Sequence, residues 1–449
     1  MSKHSVAVVL CAVIVPGVLL TEPAQAIPAF ARREGAKCQM CHFRVPELNE
    51  DGRAYLRRGL REAPPGAMSG MEKAGEKKDA GKAGGMPGME KPGEKKDAEK
   101  TEGMPGMEKP GEKKDAEKTE GTPEEPMKVP DAATPRPLGE PLALHWADYL
   151  TVMGHHMVTA QTGSSPAFDA GVLDTWAAGP IDRHWTALAN ASFDIQNGGA
   201  SVDQAYGQFI TRWTSRFQAA RFGQVLPFAI LSNQGGPSMT LSTPLVLSTP
   251  ADTGTSWTPA TLLRGLEIGA VDLRRWNIYA GAGQPHLDMH PGGAEAHTDI
   301  YASVEGLIGR NGSSLTLYGY RGQAWLSPDA PERPFQRIGV FCNLFWHKTK
   351  VVAGYLAGWD RDVQDQSLTG SGYFLLAEQL LSDRWAAYGR YDHLEQDLSV
   401  AGSRITRGPA IGVSWWAQTQ IRLTVEGRQV ETSSERTNKM LIAEFMWVL

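Results

Sequence analysis

The residues best suited to chemistry are Cys38, Cys41 and His42, inside the run Lys37-Cys38-Gln39-Met40-Cys41-His42. Two thiols separated by two residues, with a histidine directly after the second, can form two thioether bonds to a haem and place the imidazole under its iron. Cys38 and Cys41 are therefore the expected covalent attachment points of one haem c, and His42 its axial ligand. A redox dithiol or half of a zinc site are the other uses of such a pair. Zinc would want a second Cys/His pair at similar spacing, and none follows.

Thioether attachment is done outside the cytoplasm, and the chain begins with the means to get there. Residues 1–26 read as a secretory signal peptide: Lys3 and His4, an apolar run from Val6 to Leu20, then Ala24-Gln25-Ala26 as the cleavage site. Of four cysteines, Cys11 lies in this leader and Cys342 stands alone, so no disulfide framework is on offer. Cys342 reads as a packed strand residue. The net charge of −5 comes from interleaved acidic and basic residues, which gives no basic face for nucleic acid. After the leader no stretch approaches the roughly 20 apolar residues of a spanning helix, so a membrane crossing would have to be a barrel.

Residues 27–60 carry the motif and one expected helix. Asn49 can cap it, Glu50 and Asp51 suit its positive end, and Tyr55, Leu56 and Leu60 share a face. Arg53, Arg57 and Arg58 form a basic side, open to haem propionates or to plain solvation. So few residues cannot wrap a haem; something else must cover it.

The run Pro28-Ala29-Phe30-Ala31-Arg32-Arg33-Glu34-Gly35 before the motif, with Pro46-Glu47-Leu48-Asn49, Gly52-Arg53-Ala54-Tyr55 and Gly59 after it, resembles the fused monohaem cytochrome-porins, the outer-membrane iron oxidases of iron-oxidising bacteria. The likeness extends well beyond the haem motif but stops near residue 60. It implies a short cytochrome segment ahead of a porin, extracellular Fe(II) as electron donor, and a periplasmic cytochrome or other carrier as acceptor.

Residues 61–137 depart from that family, whose barrel follows the haem segment closely. An 18-residue unit built on Met-Glu-Lys-(Ala/Pro)-Gly-Glu-Lys-Lys-Asp-Ala runs from Met71 to Gly88, Met89 to Gly106 and Met107 to Glu124. Rich in proline, glycine and balanced charge, and without aromatics, it is expected to be a disordered linker. As a flexible coil it would span roughly 50 Å root-mean-square, enough to carry a small domain across a membrane's thickness. Its methionines, Met68 to Met127, read as a solvated spacer or as soft-metal ligands.

From residue 138 to 449 the texture is that of strands. In Gln420 to Arg428, Ile421, Leu423 and Val425 face one way and Arg422, Thr424 and Glu426 the other. Such alternation suits a transmembrane barrel, apolar outside and polar inside, or a β-sandwich. Sixteen segments can be counted, an even number, joined by short turns such as 179–183, 310–312 and 347–349 in alternation with longer polar loops. Trp176, Trp185, Trp213, Trp276, Trp346, Trp385, Trp415 and Trp416 flank the short turns as an interfacial aromatic girdle would. The expected architecture is all-β: a 16-stranded antiparallel transmembrane β-barrel of porin type, preceded by the short α-helical haem segment and the disordered linker. Its short turns would face the periplasm, its setting would be the lipid of a Gram-negative outer membrane, and the haem segment would start on the periplasmic side. The longest loop, about 229–262, is a candidate to fold into the lumen.

Candidates for a distal haem ligand are Met40, which lies within the motif, a methionine of the linker, and His155 or His156, if one of that pair faces the lumen; interfacial packing is the other reading of the two histidines. On a loop between the seventh and eighth strands, His286, Asp288, His290, Glu295, His297 and Asp299 mix imidazole and carboxylate, a set suited to capture of Fe(II) or Mn(II), or simply to solvation. His393 and Glu395 lie towards the same mouth. No catalytic triad or phosphate loop is present, and outer-sphere oxidation needs none. Three readings stay open: an Fe(II)-oxidising cytochrome-porin; a conduit of the opposite direction or for another donor such as Mn(II); and a diffusion porin with a tethered periplasmic cytochrome shuttle.

Overall fold

The computed structural model describes residues 42–44, 47–48, 50–58, 60, 149–211, 215–227, 240–248, 258–259, 261–285, 297–309, 312–324, 333–361, 366–398, 402–433 and 437–448. Cys38, Met40, Cys41, Asn49, Trp213, His286, Asp288, His290 and Glu295 lie outside them.

Ahead of the barrel, strands β1 (His42–Arg44) and β2 (Glu47–Leu48) form a small antiparallel pair, followed by helix α1 (Glu50–Arg57). The barrel strands are β3 (Leu150–Gln161), β4 (Ala167–Pro180), β5 (Trp185–Asp194), β6 (Gly199–Ile210), β7 (Arg216–Val225), β8 (Leu263–Asp272), β9 (Trp276–Pro285), β10 (Asp299–Ile308), β11 (Ser313–Ala324), β12 (Arg333–Trp346), β13 (Thr349–Arg361), β14 (Ser367–Leu380), β15 (Trp385–Leu398), β16 (Gly402–Gln418), β17 (Ile421–Thr432) and β18 (Asn438–Val448). Each pairs antiparallel with the next, and β18 closes onto β3. Closure leaves no unpaired sheet edge, the condition for β-structure in lipid.

The side-chain period of two decides which face meets lipid. On β8, Glu267 is 2% exposed between Leu266 at 50% and Ile268 at 56%. On β17, Val425 is exposed while Arg422, Thr424 and Glu426 are buried. Only an apolar surrounding rewards an apolar exterior wrapped round a charged interior, so the barrel is membrane-spanning.

Two expectations about the ends need correcting. The short turns, such as 181–184, 273–275 and 347–348, do fall at one end, but 195–198 at the other is just as short. The tryptophans also divide. Trp276, Trp346 and Trp385 are exposed, and Trp385 packs against Trp415 with ring centroids 6.2 Å apart. Trp416 is 4% exposed and Trp176 packs on the interior cluster, so these two fill the lumen instead of the girdle. Their strand parity, opposite to Trp415 and Ala177, fixes this.

Candidate functional site: an occupied lumen

The interior at the short-turn end is filled by helix α1. Leu56 and Leu60 are buried in the same apolar cluster as Tyr206, Phe217, Val271 and Phe374 of the wall, with Tyr55 packed alongside. The basic side of the helix meets the wall as well. Arg57 is ion-paired with Glu305, a carboxylate that also accepts from Asn277 Nδ2 at 2.7 Å. Gln208 Nε2 donates to the Arg57 carbonyl at 2.8 Å, satisfying an acceptor at the end of the helix. Arg53 donates to the Gly312 carbonyl and lies over the Phe345 ring, 5.5 Å from its centroid. Gly312 sits in the turn before β11, and Phe345, Asn277 and Gln208 lie within a residue or two of their strands' ends at that side. The arginines, read from sequence as facing propionates or water, are thus 4–7% exposed, with Arg53 and Arg57 bonded to the barrel.

Further up, residues 240–248 of the connection between β7 and β8 are seated against the inner wall. Arg221 starts it: its Nε donates to Glu267 at 2.7 Å and its Nη2 to the Leu226 carbonyl at 2.9 Å. Leu241 N donates to Glu426 Oε2 at 2.9 Å, and Tyr388 OH to the same oxygen at 2.7 Å. The Ser242 hydroxyl donates to Glu426 Oε1 and accepts from Arg390 Nη2 at 2.9 Å. Helix α2 (Leu245–Ser248) follows, its Leu245, Val246 and Leu247 buried. A Cβ on Gly372 would come 2.7 Å from the His393 carbonyl oxygen, 3.0 Å from Leu394 and 3.1 Å from Val246, so glycine suits this crowded point of the wall. The lumen is therefore narrowed twice: by α1 at the short-turn end, and by residues 240–248 near mid-height.

The described candidate ligands fall in different places. The backbone of His42 pairs with Leu48, two residues before α1 begins. One cross-strand step and two residues of chain put its Cα within about 12 Å of Glu50. His155 faces the lumen, its Nδ1 3.0 Å from Glu444 Oε1 and its Nε2 3.6 Å from Asp174 Oδ2. A bulge at His155/Met157 sets this geometry, and Gly171 (φ +98°) allows it, because a Cβ there would lie 1.6 Å from the His155 carbonyl oxygen. His156 points outward, its ring 6.2 Å from that of Phe445 and its Nε2 accepting from Trp447 Nε1 at 3.4 Å. His156 therefore faces away from the lumen.

Asp299 is fully buried at the start of β10, accepting from Tyr320 OH at 2.5 Å and from Gln323 N at 3.2 Å. It is a wall residue, not an open loop ligand; His297 is half-buried just before it. His393, stacked on Tyr373, belongs to the outer face, as does Glu395, and neither turns to the mouth. Among the described residues no group of three or more His, Cys, Asp or Glu side chains could hold a metal ion. Cys342 faces outward, half-buried. Sequence reading missed the receptor side of the helix, Glu305, Gln208 and Phe345, and the Glu426–Arg390 pair that holds the inner loop.

No protein-family model matches the sequence, and no curated protein matches it. By structure the chain is similar to the anion-selective porin from Comamonas acidovorans, with TM-score 0.54 and 9% identity over 67% of this chain and 98% of that one. It is similar as well to outer-membrane expressed OmpT of Vibrio cholerae, TM-score 0.52 and 9% identity over 67% and 97% of the two chains. A third, Salmonella typhi OmpF in complex with daunomycin, gives TM-score 0.50 and 10% identity over 67% and 97%. At such identities the likeness defines the fold: a porin-like barrel.

Proposed function

We propose that this chain is an outer-membrane cytochrome-porin that passes single electrons from extracellular Fe(II), through a covalently bound haem, to a periplasmic carrier. The observation that carries the reading is the burial of α1, the helix directly behind the Cys-x-x-Cys-His run, inside the barrel and latched there through Arg57 and Glu305. A segment too short to shelter a haem gains the barrel as its shelter. The donor set fits the group: two thiols and an imidazole in five consecutive residues, Cys38 to His42, behind an export signal.

When bound, haem supplies a one-electron couple. The chain's own residues do the rest. Cys38 and Cys41 would hold the group and His42 would ligate its iron. Arg53, Arg57, Gln208 and Glu305 keep the following helix in the lumen, and residues 240–248, held by Glu426 and Arg390, restrict what else passes. Both obstructions argue against free diffusion as the main role. Fe(II) as the donor is what the resemblance of residues 28–59 implies.

Rapid mixing of the purified, haem-loaded protein with excess Fe(II) at the native pH tests the proposal. Reduction of the haem spectrum is expected, and a haem that stays oxidised sinks it; Mn(II) in a parallel arm reads the choice of donor. Covalent haem staining of Cys38→Ser and Cys41→Ser variants checks the attachment separately.

A further inference from the structure

At the short-turn end, exposed basic side chains recur beside the outward tryptophans. Arg183 lies two residues before Trp185, Arg274 and Arg275 directly before Trp276, Lys348 two residues after Trp346, and Arg384 directly before Trp385; all five cations are exposed. Arg275, Lys348 and Arg384 make no side-chain hydrogen bond or ion pair with another described residue. Two carboxylates share this rim: Asp182 accepts from His184 N at 2.7 Å and Trp185 N at 2.9 Å, and Asp383 is exposed directly before Arg384. These residues come from the β4–β5, β8–β9, β12–β13 and β14–β15 turns, so they are spread round the rim.

An outward indole marks the level where hydrocarbon gives way to headgroups. One or two residues further along a strand is a rise of about 3–7 Å, the depth of lipid phosphates. We propose that this rim is a set of binding positions for anionic phospholipid headgroups, each taking a phosphate on an arginine or lysine and the glycerol and upper acyl chain against the neighbouring indole. The shared chemistry with free phosphate is the anion. The lipid is preferred because the paired indole gives an isolated anion nothing to contact. It is preferred over an acidic protein because the cations follow the circumference and stand beside lipid-facing rings, not gathered over the lumen. The inference rests on the membrane-spanning barrel and not on electron transfer.

The test is native mass spectrometry of the full chain released from nanodiscs of mixed phosphatidylcholine and phosphatidylglycerol. Wild type is expected to retain phosphatidylglycerol selectively. R275Q/K348Q/R384Q should lose that preference, by about fivefold for each charge removed, while R275K/R384K keeps it. R321Q, at the opposite end, should leave it unchanged, and heat-modifiable gel mobility verifies that each variant is folded. Equal retention of both lipids, or displacement of the lipid by inorganic phosphate alone, overturns the proposal. So does a lipid-indifferent rim that binds an acidic protein in a salt-dependent way.

Discussion

Arg57 on the helix and Glu305 on β10 form a buried ion pair across 248 residues of chain, with side chains each 5% exposed. Neither charge meets bulk water, so each depends on the other and on the Asn277 amide that completes the carboxylate. Removing one partner of such a pair strands the other, at roughly 3–5 kcal/mol, whereas replacing both with apolar groups of similar size is often close to neutral. Glu305→Ala is therefore expected to loosen the helix and expose residues 50–60 to protease, and Arg57→Met with Glu305→Leu to restore protection. Equal protease resistance in E305A and wild type would show that the pair does not hold the plug.

The two obstructions lie in series along the lumen, which fixes how their removal combines. Glu426→Ala removes the acceptor shared by Leu241 N, Ser242 and Tyr388 OH and should release residues 240–248. With α1 still seated, conductance in planar bilayers should rise little, and E305A alone should likewise change it little. The double variant should open a porin-sized channel, a response well beyond the sum of the singles. Large conductance in either single variant would show that one obstruction alone closes the lumen.

Much of the barrel was legible because lipid enforces a strict rule. Ile421, Leu423 and Val425 against Arg422, Thr424 and Glu426 can be read by alternation alone, since a slip of one residue would put charges into hydrocarbon. The same rule should have split Trp415 from Trp416: adjacent residues on a strand cannot share a face. What stayed hidden is pairing across long sequence separation. Arg53 and Arg57 look alike whether they meet propionates, water or Glu305, because an amphipathic helix states that it has a partner and not which one. His155 and His156 were ambiguous for a related reason: the bulge beside them changes the local count, and only the tertiary register tells which ring faces Glu444.

Gly171 supports that bulge at a positive φ of 98°. Gly171→Ala brings both left-handed strain and a clash with the His155 carbonyl oxygen, so a loss of about 2 kcal/mol or more is expected. The measurement is the temperature at which the folded band disappears from a semi-native gel. A G171A barrel melting with wild type would show that the His155 bulge is dispensable.

A connection of residues 61–148 joins α1 to the barrel. Leu60, buried with α1, precedes it, and Tyr149, whose carbonyl accepts from Ala178 N at 3.1 Å near the end of β4, follows it. The helix is held by its own contacts, with Leu56 and Leu60 buried and Arg57 paired, so covalent connection to β3 should not be needed to keep it there. A protease site inserted between Lys96 and Asp97 separates the segment from the barrel by one cut. After cleavage the amino-terminal fragment is expected to co-elute with the barrel in mild detergent and to leave only on denaturation, sooner in the E305A background. Release of the fragment from the uncharged-variant control, R57M with E305L, at the wild-type rate would show that apolar contact suffices. Immediate release from wild type would mean that the connecting chain, and not the lumen wall, retains the amino-terminal segment.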